Sequence, residues 1–91
     1  MKAIVYTEYS PEDDFSKILK VQEIDDPKPK SDEVVFQVKA AALNYNDIWG
    51  MRGNPVPVPL PHVSGSDAAG DVIAVGEDVK NIKVGDRVVS H

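Results

Sequence analysis

The chain has no cysteine and only two histidines among its 91 residues. The lack of cysteine excludes disulfide frameworks, thiolate zinc sites and cysteine nucleophiles together. Positive charge is also short, with 10 Lys and Arg against 15 Asp and Glu and a formal charge of −5. No basic stripe is visible, so a nucleic-acid partner is not expected. An acidic surface favours solubility and gives no general attraction for an anionic cofactor. No apolar run approaches the roughly 18 residues of a membrane helix. The opening MKAIVYTEYSPEDD soon turns acidic and does not resemble a signal peptide, so a cytoplasmic location is expected. Phosphate-binding glycines are absent too. Gly65, Gly70 and Gly76 are too widely spaced for the dinucleotide fingerprint, and no Gly-Lys-Ser/Thr follows. Those glycines read instead as turns, a bulge or points of close backbone approach.

What is present is a series of short β-prone segments divided by Gly and Pro. Residues 2–6 (KAIVY) form one such run, and residues 18–24 (ILKVQEI) alternate as a half-buried strand should. Residues 10–16 are polar and turn-like, and residues 25–32 (DDPKPKSD) read as a loop. Residues 34–43 begin as a strand with Val34, Phe36 and Val38 on one face, and Ala40–Ala42 either continue it or start a helix. Residues 44–52 (NYNDIWGMR) read as a short helical turn that either asparagine could cap. Prolines at 55, 57, 59 and 61 predict an extended surface segment. Residues 68–75 form a strand interrupted by Gly70. Turns follow at 76–79 and 84–87, and the last strand covers 87–90. This pattern predicts one mainly β domain over residues 1–91, a small barrel or sandwich. The chain ends at His91 directly after a strand, which looks like a cut.

Two polar clusters could carry chemistry. The first is Asn44-Tyr45-Asn46-Asp47, followed by Trp49. It reads either as a helix cap with solvated neighbours or as a pocket wall whose amides orient a substrate carbonyl. The second, Ser64-Gly65-Ser66-Asp67, reads by itself as a turn leading into a strand. For metal chemistry the inventory is thin. His62 and His91 lie far apart and neither sits at ligand spacing, so no metal site is expected.

At these clusters the chain resembles the GroES-like catalytic domain of the medium-chain dehydrogenase/reductase superfamily. MKAIVY resembles that family's first strand. DPKPKSDEVVFQVKAAALNYND resembles its proline loop, long strand and pocket turn, and SGSDAAGDVIAVGEDVKNIKVGDRVV its glycine-and-acid signature, valine-rich strand and Gly-Asp turn. The resemblance implies a partly open GroES-like β-barrel with one or two short helical turns. It also implies an NAD- or NADP-binding Rossmann domain following residue 91.

The departures from the pattern are informative. In zinc-dependent members a Gly-x-Cys-x-x-Asp turn and a Gly-His-Glu motif supply ligands. Setting the Asp on Asp47 puts the cysteine at Asn44. Setting the Gly on Gly65 puts the histidine at Ser66 and the glutamate at Asp67. An amide and a hydroxyl are poor substitutes for thiolate and imidazole. The Gly-Ser-Asp version resembles the zinc-free quinone oxidoreductases and crotonyl-CoA reductases, and His62 and Trp49 strengthen the second likeness. The resemblance therefore implies hydride transfer to an activated double bond of an enoyl-CoA, enone or quinone, with no catalytic zinc. Asn44, Tyr45 and Asn46 are the expected catalytic residues, with Asn44 donating to a developing oxyanion and Asn46 facing the nicotinamide. Asp47, Trp49, Ser66 and Asp67 are the expected pocket residues. The full-length protein is expected to be a homodimer or tetramer acting on a small molecule, and residues 1–91 alone to be inactive.

Three rivals remain at this point. One is an alcohol dehydrogenase-like carbonyl or alcohol oxidoreductase. Another is a stand-alone co-chaperonin, to which GDVIAVGEDVKNIKVGDRVV is also similar. A co-chaperonin needs a Gly-rich mobile loop with an apolar tripeptide after its first strand. TEYSPEDDFSK is acidic and has no such tripeptide. The third is a non-enzymatic structural or redox-sensing homologue.

Overall fold

A computed structural model describes residues 1–55 and 57–90. Its strands are β1 (Lys2–Tyr6), β2 (Lys20–Glu23), β3 (Val34–Ala42), β4 (His62–Val63), β5 (Asp67–Val75) and β6 (Arg87–Ser90). One α-helix, α1, covers Tyr45–Arg52, and a 3₁₀ turn covers Phe15–Lys17. The chain is thus mainly β with one short helix and one helical turn, as expected. It divides into two compact units, each made of two separated segments. The first joins Met1–Asp25 to Leu43–Ser66, and the second joins Asp26–Ala42 to Asp67–His91.

In the first unit an antiparallel sheet runs in the order β2-β1-β4, with Ile4 opposite Val21 and Tyr6 opposite His62. Its core is Tyr6, Ile18 and Met51, supported by Tyr9, Phe15, Leu19, Ile48 and Val58. The half-buried strand expected over 18–24 is instead an exposed edge strand, β2. Ile18 is the buried residue of that stretch, and it lies before the strand, at the end of the 3₁₀ turn. Helix α1 docks through Met51, whose carbonyl accepts from the Ser10 N–H at 2.7 Å. An Asp13–Arg52 ion pair ties the helix end, with Nε–Oδ1 at 2.6 Å and Nη2–Oδ2 at 2.7 Å. Arg52 lowers the Asp13 carboxyl below its ordinary range, mainly through this hydrogen bond.

In the second unit the order is β3-β5-β6, also antiparallel, and Val72 is its most buried side chain. Ala40–Ala42 continue the strand rather than starting a helix. Val34 and Phe36 are half-buried, but Val38 is exposed. Register shifts between Val35 and Phe36 and between Val38 and Ala40 break the simple alternation. Gly70 does not interrupt β5; it lets the strand approach its neighbour. A Cβ there would sit 1.9 Å from the Gln37 carbonyl oxygen. The Gly-Asp turn is built as the motif suggests. The Asp86 carboxylate accepts from the Lys83 N–H at 3.0 Å, and the Asp86 carbonyl accepts from the Val72 N–H at 2.8 Å.

Candidate active site

The polar cluster at residues 44–47 is first a helix start. Asn44 is extended (φ −137°, ψ 154°), and its side chain accepts from backbone N–H groups of the first turn. Asp47 completes a capping box by accepting from the Asn44 N–H at 3.0 Å. Gly53, in the left-handed region at φ 73°, closes the helix. Capping fixes which way the helix presents its side chains. Asn46, Asp47, Trp49 and Gly50 line a concave pocket of about 260 Å³ in the first unit. Tyr6 from β1, His62 from β4, Val58 and residues 64–66 complete the wall.

Several contacts organise this wall. The Ser66 hydroxyl donates to Asn46 Oδ1 at 3.3 Å, joining the two polar clusters recognised in the sequence. The Tyr6 and His62 rings lie 5.4 Å apart, inclined at 54°. Trp49 meets Tyr45 edge-to-face at 5.6 Å, and the Arg52 guanidinium lies 5.8 Å from the centre of the Tyr45 ring. Below the pocket, the Tyr9 hydroxyl donates to the Val58 carbonyl.

Tyr6 is almost wholly buried, at 2% exposure, yet belongs to the pocket lining. Burial raises its phenol above the ordinary tyrosine value, and the neighbouring Tyr9 and Asp47 push the same way. The phenol therefore stays protonated and remains a donor at neutral pH. Its hydroxyl lies over Gly50, where a Cβ would come within 2.8 Å of it. A glycine inside a helix costs about 1 kcal/mol relative to alanine. Gly50 gives up that stability and leaves the hydroxyl its room.

The residues expected at the site are distributed as follows. Asn46, Asp47, Trp49 and Ser66 line one pocket. Asn44 caps the helix, Tyr45 supports Trp49, and neither is part of that lining. Asp67 belongs to the second unit, where it opens β5 opposite Ala42 and borders a shallow depression with Ala40–Ala42 and Val89. His62, weighed in the sequence as a metal ligand and as part of the crotonyl-CoA-reductase likeness, lines the pocket, and His91 lies outside the described residues. Sequence reasoning missed Tyr6 and Gly50. Tyr6 closes an apolar strand and looks like core, whereas a lone glycine inside a helical stretch was a usable signal.

Among the described residues, no three His, Cys, Asp or Glu side chains cluster as metal ligands would. The donors at the positions matching the zinc motif are an amide and a hydroxyl, so the residues do not fit a catalytic zinc. A dinucleotide's phosphates do not fit helix α1 either, because Asp47 places a carboxylate in its first turn. Within the pocket lining Asn46 brings a side-chain amide, whose Oδ1 accepts from Ser66 and whose NH₂ is a donor. No helix among the described residues is long and apolar enough to cross a membrane.

A fold of two small antiparallel sheets with a pocket between helix α1 and the β4 turn of the first unit matches a known domain class. The family described as alcohol dehydrogenase GroES-like domain matches residues 30–91, and the chain belongs to it. Among curated relatives, the crotonyl-CoA carboxylase/reductase of Cereibacter sphaeroides is 44% identical over 79 residues, covering 80% of this chain and 18% of that protein. The acryloyl-coenzyme A reductase of Sulfurisphaera tokodaii is 39% identical over 71 residues, covering 78% of this chain and 21% of that one. Among solved structures, the Escherichia coli quinone oxidoreductase complexed with NADPH superposes with a TM-score of 0.85 at 33% identity. That match covers 98% of this chain and 26% of the solved one. The chain therefore spans about a fifth to a quarter of the proteins it matches.

Proposed function

We propose that this chain is the substrate-pocket part of an NAD(P)H-dependent oxidoreductase that reduces an activated C=C bond, in an enoyl-CoA, enone or quinone, without catalytic zinc. The observation that carries the reading is the Ser66–Asn46 hydrogen bond on the pocket wall. It joins the two motifs at which zinc-dependent members hold their metal, using neutral groups instead. A nicotinamide cofactor, when bound, supplies the hydride, and a Rossmann domain after residue 91 would hold the rest of it. The names of the reductases and of the NADPH-bound quinone oxidoreductase among the relatives support this reading.

This chain's residues would then bind, orient and polarise. Because Ser66 occupies Asn46 Oδ1, a ligand meets the amide through its NH₂ end, a donor to the oxygen of a conjugated carbonyl. The same amide is suited to the nicotinamide side. Trp49 offers a flat apolar wall, braced by Tyr45, for a conjugated substrate. Asn44 and Asp47 hold the helix that carries both. Asn44 contributes an N–H donor only if the substrate reaches the helix start, and Asp67 contributes through its own unit. The complete protein is proposed to be cytoplasmic and to form a homodimer or tetramer.

The test is NAD(P)H oxidation by the complete protein with crotonyl-CoA, cyclohexenone and benzoquinone, before and after exhaustive chelation. Reduction of at least one acceptor, unchanged by chelation, is expected. Oxidation of simple alcohols that disappears with zinc, and no reduction of the three acceptors, would overturn the reading in favour of a zinc-type dehydrogenase.

A further inference from the structure

The pocket has a polar group that the reading above leaves unused, and it lies before the segment that the family model matches. The family match begins at residue 30, and Tyr6 lies on β1. Its ring is core, packed with Ile18 and Met51, yet Tyr6 also lines the pocket, and its hydroxyl lies against Gly50, another lining residue. Two features hold it there. The His62 ring, directly opposite in the β1–β4 register, leans on the Tyr6 ring. Gly50 keeps open the space over the helix that a Cβ would take from the hydroxyl. The adjacent carboxylate of Asp47 is engaged by the Asn44 N–H. Helix α1 thus gives up its own stability at Gly50 to keep a neutral hydroxyl at the pocket floor.

Resting on the proposed reductive function, we infer that Tyr6 is a substrate-contacting residue. Its hydroxyl donates from the pocket floor to the carbonyl oxygen of a conjugated substrate, and it works together with the Asn46 amide. Two neutral donors converging on one oxygen suit an uncharged conjugated carbonyl, such as an enoyl thioester or enone, better than a carboxylate. Burial of Tyr6 removes competition from water at its hydroxyl and strengthens that donor.

The test uses the complete protein, with crotonyl-CoA for turnover and crotonamide as an unreactive conjugated-carbonyl probe for binding. Tyr6→Phe deletes one oxygen and keeps the ring that fills the core. The Kd for crotonamide should rise and kcat/KM for crotonyl-CoA fall, each by roughly tenfold, with Tm unchanged. Gly50→Ala should cause a similar loss by displacing the hydroxyl. In the Tyr6→Phe background it should cause no further loss, because the atom it meets is gone. A purely structural tyrosine would move Tm and leave Kd alone. Unchanged Kd and kcat/KM in Tyr6→Phe, full additivity of the two substitutions, or failure of the wild type to bind millimolar crotonamide would each overturn the inference. If crotonamide binding depends on Tyr6 but no acceptor is reduced, the inference stands and the reductive reading falls.

Discussion

The two units of the chain are held together by different means. The second unit is a backbone construction. Its strands β3 and β5 pair along most of their length, its turns are closed by main-chain and Asp86 hydrogen bonds, and its side chains are small where the strands approach most closely. The first unit has a shorter ladder and relies on side chains: an aromatic and aliphatic core, a capping box, a bidentate Asp13–Arg52 pair and an edge-to-face ring pair on helix α1. The pocket lined by Tyr6, Asn46, His62 and Ser66 lies in the unit built from side chains. A ladder tolerates many side chains, so long as their sizes fit. A site needs particular ones, held by others.

This contrast can be broken at both ends. The largest effect is expected at Gly70. Gly70→Val adds carbon where 1.9 Å separates a Cβ from the Gln37 carbonyl oxygen, and the obstacle is backbone that cannot turn aside. A loss at or above the upper end of ordinary overpacking, about 3 kcal/mol, is expected in urea unfolding. A variant with wild-type stability would show that the second unit does not depend on close strand approach. Next is Asn46→Ala in the complete protein, which should lower kcat by roughly 10²-fold with little change in Tm. Full retention of kcat would remove Asn46 from the list of donors.

Smaller effects separate capping from catalysis. Asn44→Ala should cost about 1 kcal/mol of stability through the lost cap. Measuring Tm and kcat on the same variant decides its role. A destabilised enzyme with full kcat leaves the cap alone, whereas a loss in kcat comparable to that of Asn46→Ala makes Asn44 a donor as well. The smallest effect belongs to Asp13→Asn, an exposed pair. The Asp13 carboxyl is lowered in the folded chain, so its contribution is present above the ordinary carboxylate range, and is lost as pH falls through the lowered value. Wild type and variant should therefore differ slightly in Tm at neutral pH and converge in acid. A difference that persists in acid would assign the effect to packing rather than charge.

Much of this was legible in the sequence, and the unread part has a physical pattern. The helix over residues 44–52, the strand at 2–6 and the Gly-Asp turn depend on local chemistry, and local chemistry shows in a string of residues. The recognition of the family rests on such motifs. The two-residue strand β4 escaped notice because its pairing with β1 spans more than fifty residues and leaves no periodicity of its own. The alternation expected of Val34, Phe36 and Val38 failed at Val38 because bulges are set by the partner strand. Tyr6 escaped for the same kind of reason. A tyrosine ending an apolar strand has the same signature whether its hydroxyl faces a backbone carbonyl or a ligand. Only the glycine across from it tells the two apart.

Trp49 is the chain's one tryptophan, and all three tyrosines (Tyr6, Tyr9 and Tyr45) lie in the first unit with it. The second unit has Phe36 as its single aromatic residue. The tyrosine and tryptophan bands in the near-ultraviolet spectrum of residues 1–91 therefore come from the first unit. Tryptophan-selective emission reports the polarity of the pocket wall, with the edge of Tyr45 as its nearest aromatic neighbour. Phe36 absorbs only weakly in the near ultraviolet, so the β3-β5-β6 sheet shows mainly in the far ultraviolet. Any disagreement between the two spectral regions on heating would resolve the units by colour.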